Sequence, residues 1–177
     1  MPCQRRRRLT TKSCAGKWSS MIHLTISGWS KVDGYLATGR YDGLVSIASP
    51  PGENRGKLRA KDNLLLDFDD TWPGHKSHWI PPSKEQVQSI LDFGYRIREA
   101  QTNPMVVCHC GRGRSRSTAA AILLMFTATV WTPEVCCRHL FAHAPKSTPN
   151  AWMLKLGEEI TGAKFIEHCF GRAKGNV

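Results

Sequence analysis

A cysteine, Cys110, and an arginine, Arg116, stand six positions apart in the string VVCHCGRGRSRS at 106–117. Every part of that string has a use in phosphate chemistry. Glycines at 111 and 113 permit positive φ and close backbone approach, so successive N–H groups can converge on one point as an anion nest. A helix beginning near Arg116 adds its positive end and its unpaired N–H donors. Arg116 can grip two phosphate oxygens with its planar fork. At the base of that field the Cys110 thiol is expected below its ordinary pKa, as a thiolate at neutral pH. A thiolate beneath a bound phosphoryl group is a nucleophile poised for in-line attack.

Other uses of these residues fit less well. A free cysteine is often only a small buried hydrophobe, but Gly113 and Arg116 would then have no reason to sit in register with Cys110. A zinc site built on Cys108, His109 and Cys110 lacks a second Cys/His pair at finger-like spacing. Cys108, two residues upstream, reads as core, with a resolving thiol for an oxidised Cys110 as its alternative role.

Departure of an alcohol from phosphorus also needs a protonated carboxyl group. Asp67, Asp69 and Asp70 all precede the loop TWPGHKSHWIPP at 71–82. Strand alternation puts Leu66 and Phe68 on one face and brings Asp70 to the same side. Asp70 is therefore favoured as the acid, with Asp69 second. The loop that follows has the length of a lid. His75 and His78 on it read as solvated, and Trp72 and Trp79 either flank a pocket or anchor the loop. His139 and His143 stand four apart on a helix, a spacing compatible with a metal, but without a third ligand in view.

These residues must be positioned by strands and helices. Residues 22–26 (IHLTI), 43–47 (GLVSI), 63–68 (NLLLDF) and 105–108 (MVVC) read as short strands. Ser83 and Gln86 form a capping box opening a helix whose stripe is Val87, Ile90, Leu91, Gly94 and Ile97. The Ala-rich run 118–130 reads as a buried helix. Thr132-Pro133-Glu134 opens another, and Asn150 caps a last one to about Thr161. The order implies an α/β fold: a central, mostly parallel sheet of four to five strands flanked by helices.

The string matches H-C-x-x-G-x-x-R-[S/T], and on it the chain resembles the protein tyrosine phosphatase superfamily. The G-x-S-R-S form at 113–117 is similar to the dual-specificity branch. The resemblance spans roughly residues 22–162 and implies a cysteine phosphatase fold. It also implies roles: Cys110 forms a phosphocysteine, and Arg116 binds the phosphate with the backbone donors of Gly111, Arg112, Gly113, Arg114 and Ser115. Ser117 helps the thiolate leave, and His109 holds the loop and tunes the thiol. No metal or other cofactor is implied. The implied substrate is a phosphorylated protein or another phosphate monoester. An RNA 5′-end or phosphoinositide phosphatase, suggested by Arg112, Arg114 and the basic start, is the alternative, with a non-catalytic phosphate-binding module as a further rival.

Composition sets the frame. The 177 residues, 41% hydrophobic and 22% charged, suit one globular domain. The net charge is +11, and residues 1–20 hold six cations and no acid, leaving +5 elsewhere. That start is expected to be a flexible arm with weak attraction to nucleic acid or anionic surfaces; Met21 could equally be the true beginning. Residues 21–162 would be the phosphatase domain and 163–177 a tail. No apolar run is long enough for a membrane span, and none follows the basic start as a secretory signal requires. The seven cysteines, two pairs of them too close together for a disulfide framework, are expected as reduced thiols in the cytoplasm.

Overall fold

A computed structural model describes residues 23–49, 60–75, 78–102, 104–108 and 114–171. The basic start at 1–20 and the loop residues His109, Cys110, Gly111, Arg112 and Gly113 lie outside the described residues. In chain order the elements are β1 (Thr25–Gly28), α1 (Trp29–Ala37), β2 (Gly43–Ala48), β3 (Asp62–Asp67) and α2 (Lys84–Ala100). Then follow β4 (Pro104–Cys108), α3 (Arg114–Ala128), α4 (Pro133–His143), α5 (Ala151–Thr161) and α6 (Phe165–Phe170).

The four strands form one sheet in the order β1-β4-β2-β3, and every pair is parallel. The register brings Gly28 and Ile47 beside Cys108, and Ala48 beside Asp67, so all the carboxyl ends share one edge. In a parallel sheet that edge is where ligands bind. α1 lies between β1 and β2, α2 lies between β3 and β4, and a parallel sheet needs cover on both faces. β2 is buried along its whole length. Val45 and Ile47 enter the main core with residues of α2, α3, α4, α5 and α6, while Leu44 packs with Val32 of α1 on the other face.

α3 is the central helix, with Ala119 to Leu124 all buried. Its neighbours come close because two of them carry glycine at the contact. A Cβ on Gly94 of α2 would stand 1.9 Å from Thr127 Oγ1, and one on Gly157 of α5 would stand 2.6 Å from a Leu123 methyl. The expected caps are in place. Ser83 and Gln86 form a complete capping box, Thr132 caps α4, and Asn150 caps α5.

Several expectations are corrected. The first strand, expected over 22–26, runs Thr25–Gly28 and leads into a helix not expected from the sequence, α1, whose N-cap Gly28 makes no side-chain cap bond. The tail expected from residue 163 instead folds at Phe165–Phe170 into α6, with Phe165 fully buried in the core. The expectation of reduced thiols fails for one pair: Cys137 on α4 is disulfide-bonded to Cys169 on α6, with Cα atoms 5.7 Å apart. Successive residues on a helix diverge by about 100°, so Cys136 and Cys137 serve different partners. Cys136 stays a free thiol in the core, pushed up to about 12 by burial. With that pairing, the cysteines no longer argue for a reducing compartment. Among the described residues, no helix is long and apolar enough to cross a membrane.

Candidate active site

The site is framed by the end of β4 and the start of α3, the two sides of the loop that contains Cys110. α3 begins at Arg114, slightly earlier than the sequence suggested. Arg116 lies in its first turn and is only 2% exposed. A buried guanidinium must be satisfied. Its Nη1 donates to the Phe68 carbonyl at the end of β3, while Nε has no partner among the described residues. Next to it, Ser117 is fully buried, and its hydroxyl likewise lacks a partner among the described residues. Two unmatched donors at a helix N-terminus suit an oxyanion.

The two candidate carboxylates face different ways. Asp69 is tied to the residue after β2 and to its own loop: Oδ1 accepts from the Ser49 hydroxyl, and Oδ2 accepts from the Ile80 amide at 2.8 Å. The Asp69 amide donates in turn to the Ile80 carbonyl at 2.6 Å, closing the base of the 71–80 loop. Burial by itself would raise this carboxyl. The bonds from Ser49 and Ile80, with the charges of Arg116 and His78, outweigh it and hold the group below its ordinary value. Asp69 is thus kept ionised.

Asp70 faces α3. Its Oδ2 accepts from the Ser115 hydroxyl, and its Oδ1 accepts from Asn150 Nδ2 at 2.8 Å. Asn150 also receives the Met153 amide on its side-chain oxygen at 2.9 Å, and its own amide donates to the Ser115 carbonyl at 2.9 Å. The amide orientation of Asn150 is therefore fixed by the helix it caps. Asp70 Oδ1 is left as a committed acceptor. Oδ2 faces a serine hydroxyl, which can accept as well as donate. Asn150 was legible in the sequence only as a cap; its hold on Asp70, 80 residues away, was not.

The loop after Asp70 packs on itself through rings. Trp72 stacks on His75 with centroids 4.0 Å apart, and His75 in turn meets Trp79 edge-on at 6.0 Å. Thr71 Oγ1 hydrogen-bonds His75 Nδ1 at 3.2 Å. His139 and His143 are 4.5 Å apart, well away from the Asp70 cluster, and burial lowers the His139 pKa. Among the described residues, no group of three His, Cys, Asp or Glu is arranged to hold a metal.

Two depressions flank the start of α3. One, about 440 Å³, is lined by Ser27, Lys31, Tyr35, Arg114, Ser117 and Ser147. Lys31 and Tyr35 come from α1, which explains why they escaped the sequence reading. The other, about 690 Å³, opens beside Asp70 and Ser115 between the Trp72 loop and helices α5 and α6.

No protein-family model matches the chain, and no curated protein matches it by sequence. Solved structures do match. DUSP15 aligns over 89% of this chain and 94% of its own at 19% identity, with a TM-score of 0.59. Human DUSP28 aligns over 78% of this chain and 94% of its own at 14% identity and 0.56. A mouse putative dual specificity phosphatase, solved with zinc tungstate, aligns over 78% of this chain and 84% of its own at 15% identity and 0.56. The chain has the fold of these dual-specificity phosphatases.

Proposed function

We propose that this protein is a cysteine-dependent phosphatase that hydrolyses phosphate monoesters, with phosphotyrosine, phosphoserine or phosphothreonine in proteins as its substrates. One observation carries the reading: Asp70 is bonded to Ser115 at the start of α3, with Arg116 buried immediately behind. This supports an acid and a guanidinium acting beside the segment that carries Cys110 in the sequence.

In the first step the Cys110 thiolate attacks phosphorus and the bond from phosphorus to the ester oxygen breaks. The proton on Asp70 Oδ2 passes to the departing oxygen, so the alcohol leaves neutral. Arg116 holds two non-bridging oxygens, and its unmatched Nε supplies one of those donors. In the second step Asp70, now a carboxylate, takes a proton from water while that water attacks phosphorus. The bond from sulfur to phosphorus breaks, and the Ser117 hydroxyl donates to the leaving thiolate. His109 would steady the loop, and the amides of residues 111–116 would complete the anion nest. The mouse neighbour was solved with zinc tungstate, and tungstate is a tetrahedral oxyanion.

The rival, a phosphatase for RNA 5′ ends or phosphoinositides, draws on Lys31 and Arg114 in the smaller cleft, with added attraction from residues 1–20. A turnover screen in chelator, using phosphotyrosine, phosphothreonine, inositol phosphate and 5′-phosphorylated RNA, separates the readings. The phosphopeptides are expected to turn over fastest. Cys110→Ser should abolish turnover while retaining binding of the ester, and Arg116→Lys should damage both, since Lys has no fork. Measurable turnover by Cys110→Ser would end the covalent mechanism.

A further inference from the structure

The larger groove says something about the substrate beyond its phosphate, provided the phosphatase reading above holds. Asp70 and Ser115 form one end, and Trp72, Trp152, Lys155 and Ile166 line the rest. Trp72 leaves 54% of its surface in water, a large exposed apolar side chain beside Asp70. Its ring is already stacked on His75. Trp152 is fixed too: its indole N–H donates to the Pro82 carbonyl at 3.1 Å, and Lys155 Nζ sits 5.2 Å over its ring. Two immobilised indoles in one groove bind an apolar partner at little ordering cost.

The direction of the chemistry identifies the partner. In an in-line displacement the entering and leaving atoms lie on opposite sides of phosphorus. Asp70 marks the side from which the alcohol departs. A groove that begins at Asp70 therefore receives the alcohol half of the ester and whatever is attached to it. At about 690 Å³ it has room for more than the phosphorylated side chain alone. Among the described residues of its lining the one cation, Lys155, is offset by Glu158, which gives that lining no positive field for a polyanion.

We propose that this groove binds a large apolar residue directly flanking the phosphorylated residue of a peptide substrate, and that Trp72 and Trp152 set that preference. The test compares phosphotyrosine peptides carrying Leu or Phe at either flanking position with the same peptides carrying Ser there, and p-nitrophenyl phosphate serves as a wild-type reference. The wild type should favour the apolar-flanked peptides about tenfold in kcat/KM. Trp72→Ala and Trp152→Phe should each reduce that ratio, and Trp72→Tyr should keep most of it. The ratio is taken within each protein, so a change in overall activity does not disturb it. A wild type that turns over p-nitrophenyl phosphate without preference, or a ratio untouched by Trp72→Ala, overturns the groove and leaves the phosphatase reading standing. Preference for nucleotide or inositol esters over every peptide also overturns it. If neither peptides nor p-nitrophenyl phosphate are turned over, the phosphatase reading falls and takes the groove with it.

Discussion

The two flanks of α3's first turn are built from opposite materials. On the α1 side, Lys31, Arg114 and serine hydroxyls surround the smaller cleft beside Ser117. On the α5 side, two indoles and Ile166 run away from Asp70. The boundary falls between neighbours in the chain: Asp69 is spent closing its own loop, and Asp70 is held by Ser115 and Asn150. Adjacent carboxylates are told apart here by where their partners sit. Both oxygens of each accept a hydrogen bond, but Asp69 is tied to Ser49 beyond β2 and to the Ile80 amide that closes its own loop, whereas Asp70 is tied to Ser115 and Asn150 beside the start of α3.

The sharpest way to break this contrast is to neutralise each carboxylate in turn. Asp70→Asn should lower kcat about a hundredfold for esters with poor leaving groups and far less for p-nitrophenyl phosphate, with the basic limb of the pH profile flattened. Asp69→Asn should leave that leaving-group dependence in place and weaken the loop instead. Because the Asp69 carboxyl is held below its ordinary value of 3.8, its contribution to stability is present above that pH. It should vanish as the pH falls through the lowered value, so acid melts of wild type and Asp69→Asn should converge there. The opposite pattern, with Asp69→Asn losing poor leaving groups, would reverse the assignment.

Asn150 refines the comparison with a smaller effect. Asn150→Ala should cost about 1 kcal/mol through the lost cap and about tenfold in kcat on poor leaving groups through the freed Asp70. Asn150→Asp should restore the cap and the melting temperature but not the N–H that orients Asp70. The defect on poor leaving groups should therefore persist in Asn150→Asp. Rescue of both properties by Asp would mean that Asn150 acts on stability alone. On the cationic flank, Lys31 is exposed, so Lys31→Ala should raise KM only about twofold at low salt, and not at all once salt screens the charge.

Much of the architecture was legible in the sequence because local signals agreed. The Ser83–Gln86 box, the Thr132-Pro133 start and the Asn150 cap each mark a helix that is present. What escaped had no local signal. α1 starts at a glycine without a cap bond and carries Gly34 in its middle, and α6 has only six residues. Both are held by tertiary packing, Val32 against Leu44 and Phe165 in the main core. The Cys137–Cys169 bridge also depends on α6 folding back onto α4. In the site, alternation along β3 pointed to Asp70, since Leu66 and Phe68 are buried on one face. The Ser115 and Asn150 bonds that hold Asp70, and the ties that occupy Asp69, could not be read from spacing.

In the proposed reaction Cys110 takes the phosphoryl group and Asp70 governs its arrival and release. Rapid acid quench of enzyme mixed with a phosphate-labelled aryl ester, followed by mapping of the labelled peptide, tests it most directly. Label should appear on the peptide containing Cys110 in the wild type and accumulate in Asp70→Asn, where water is no longer deprotonated for the second step. It should be absent from Cys110→Ser. Turnover with no labelled protein at any time, or label on another residue, would contradict it.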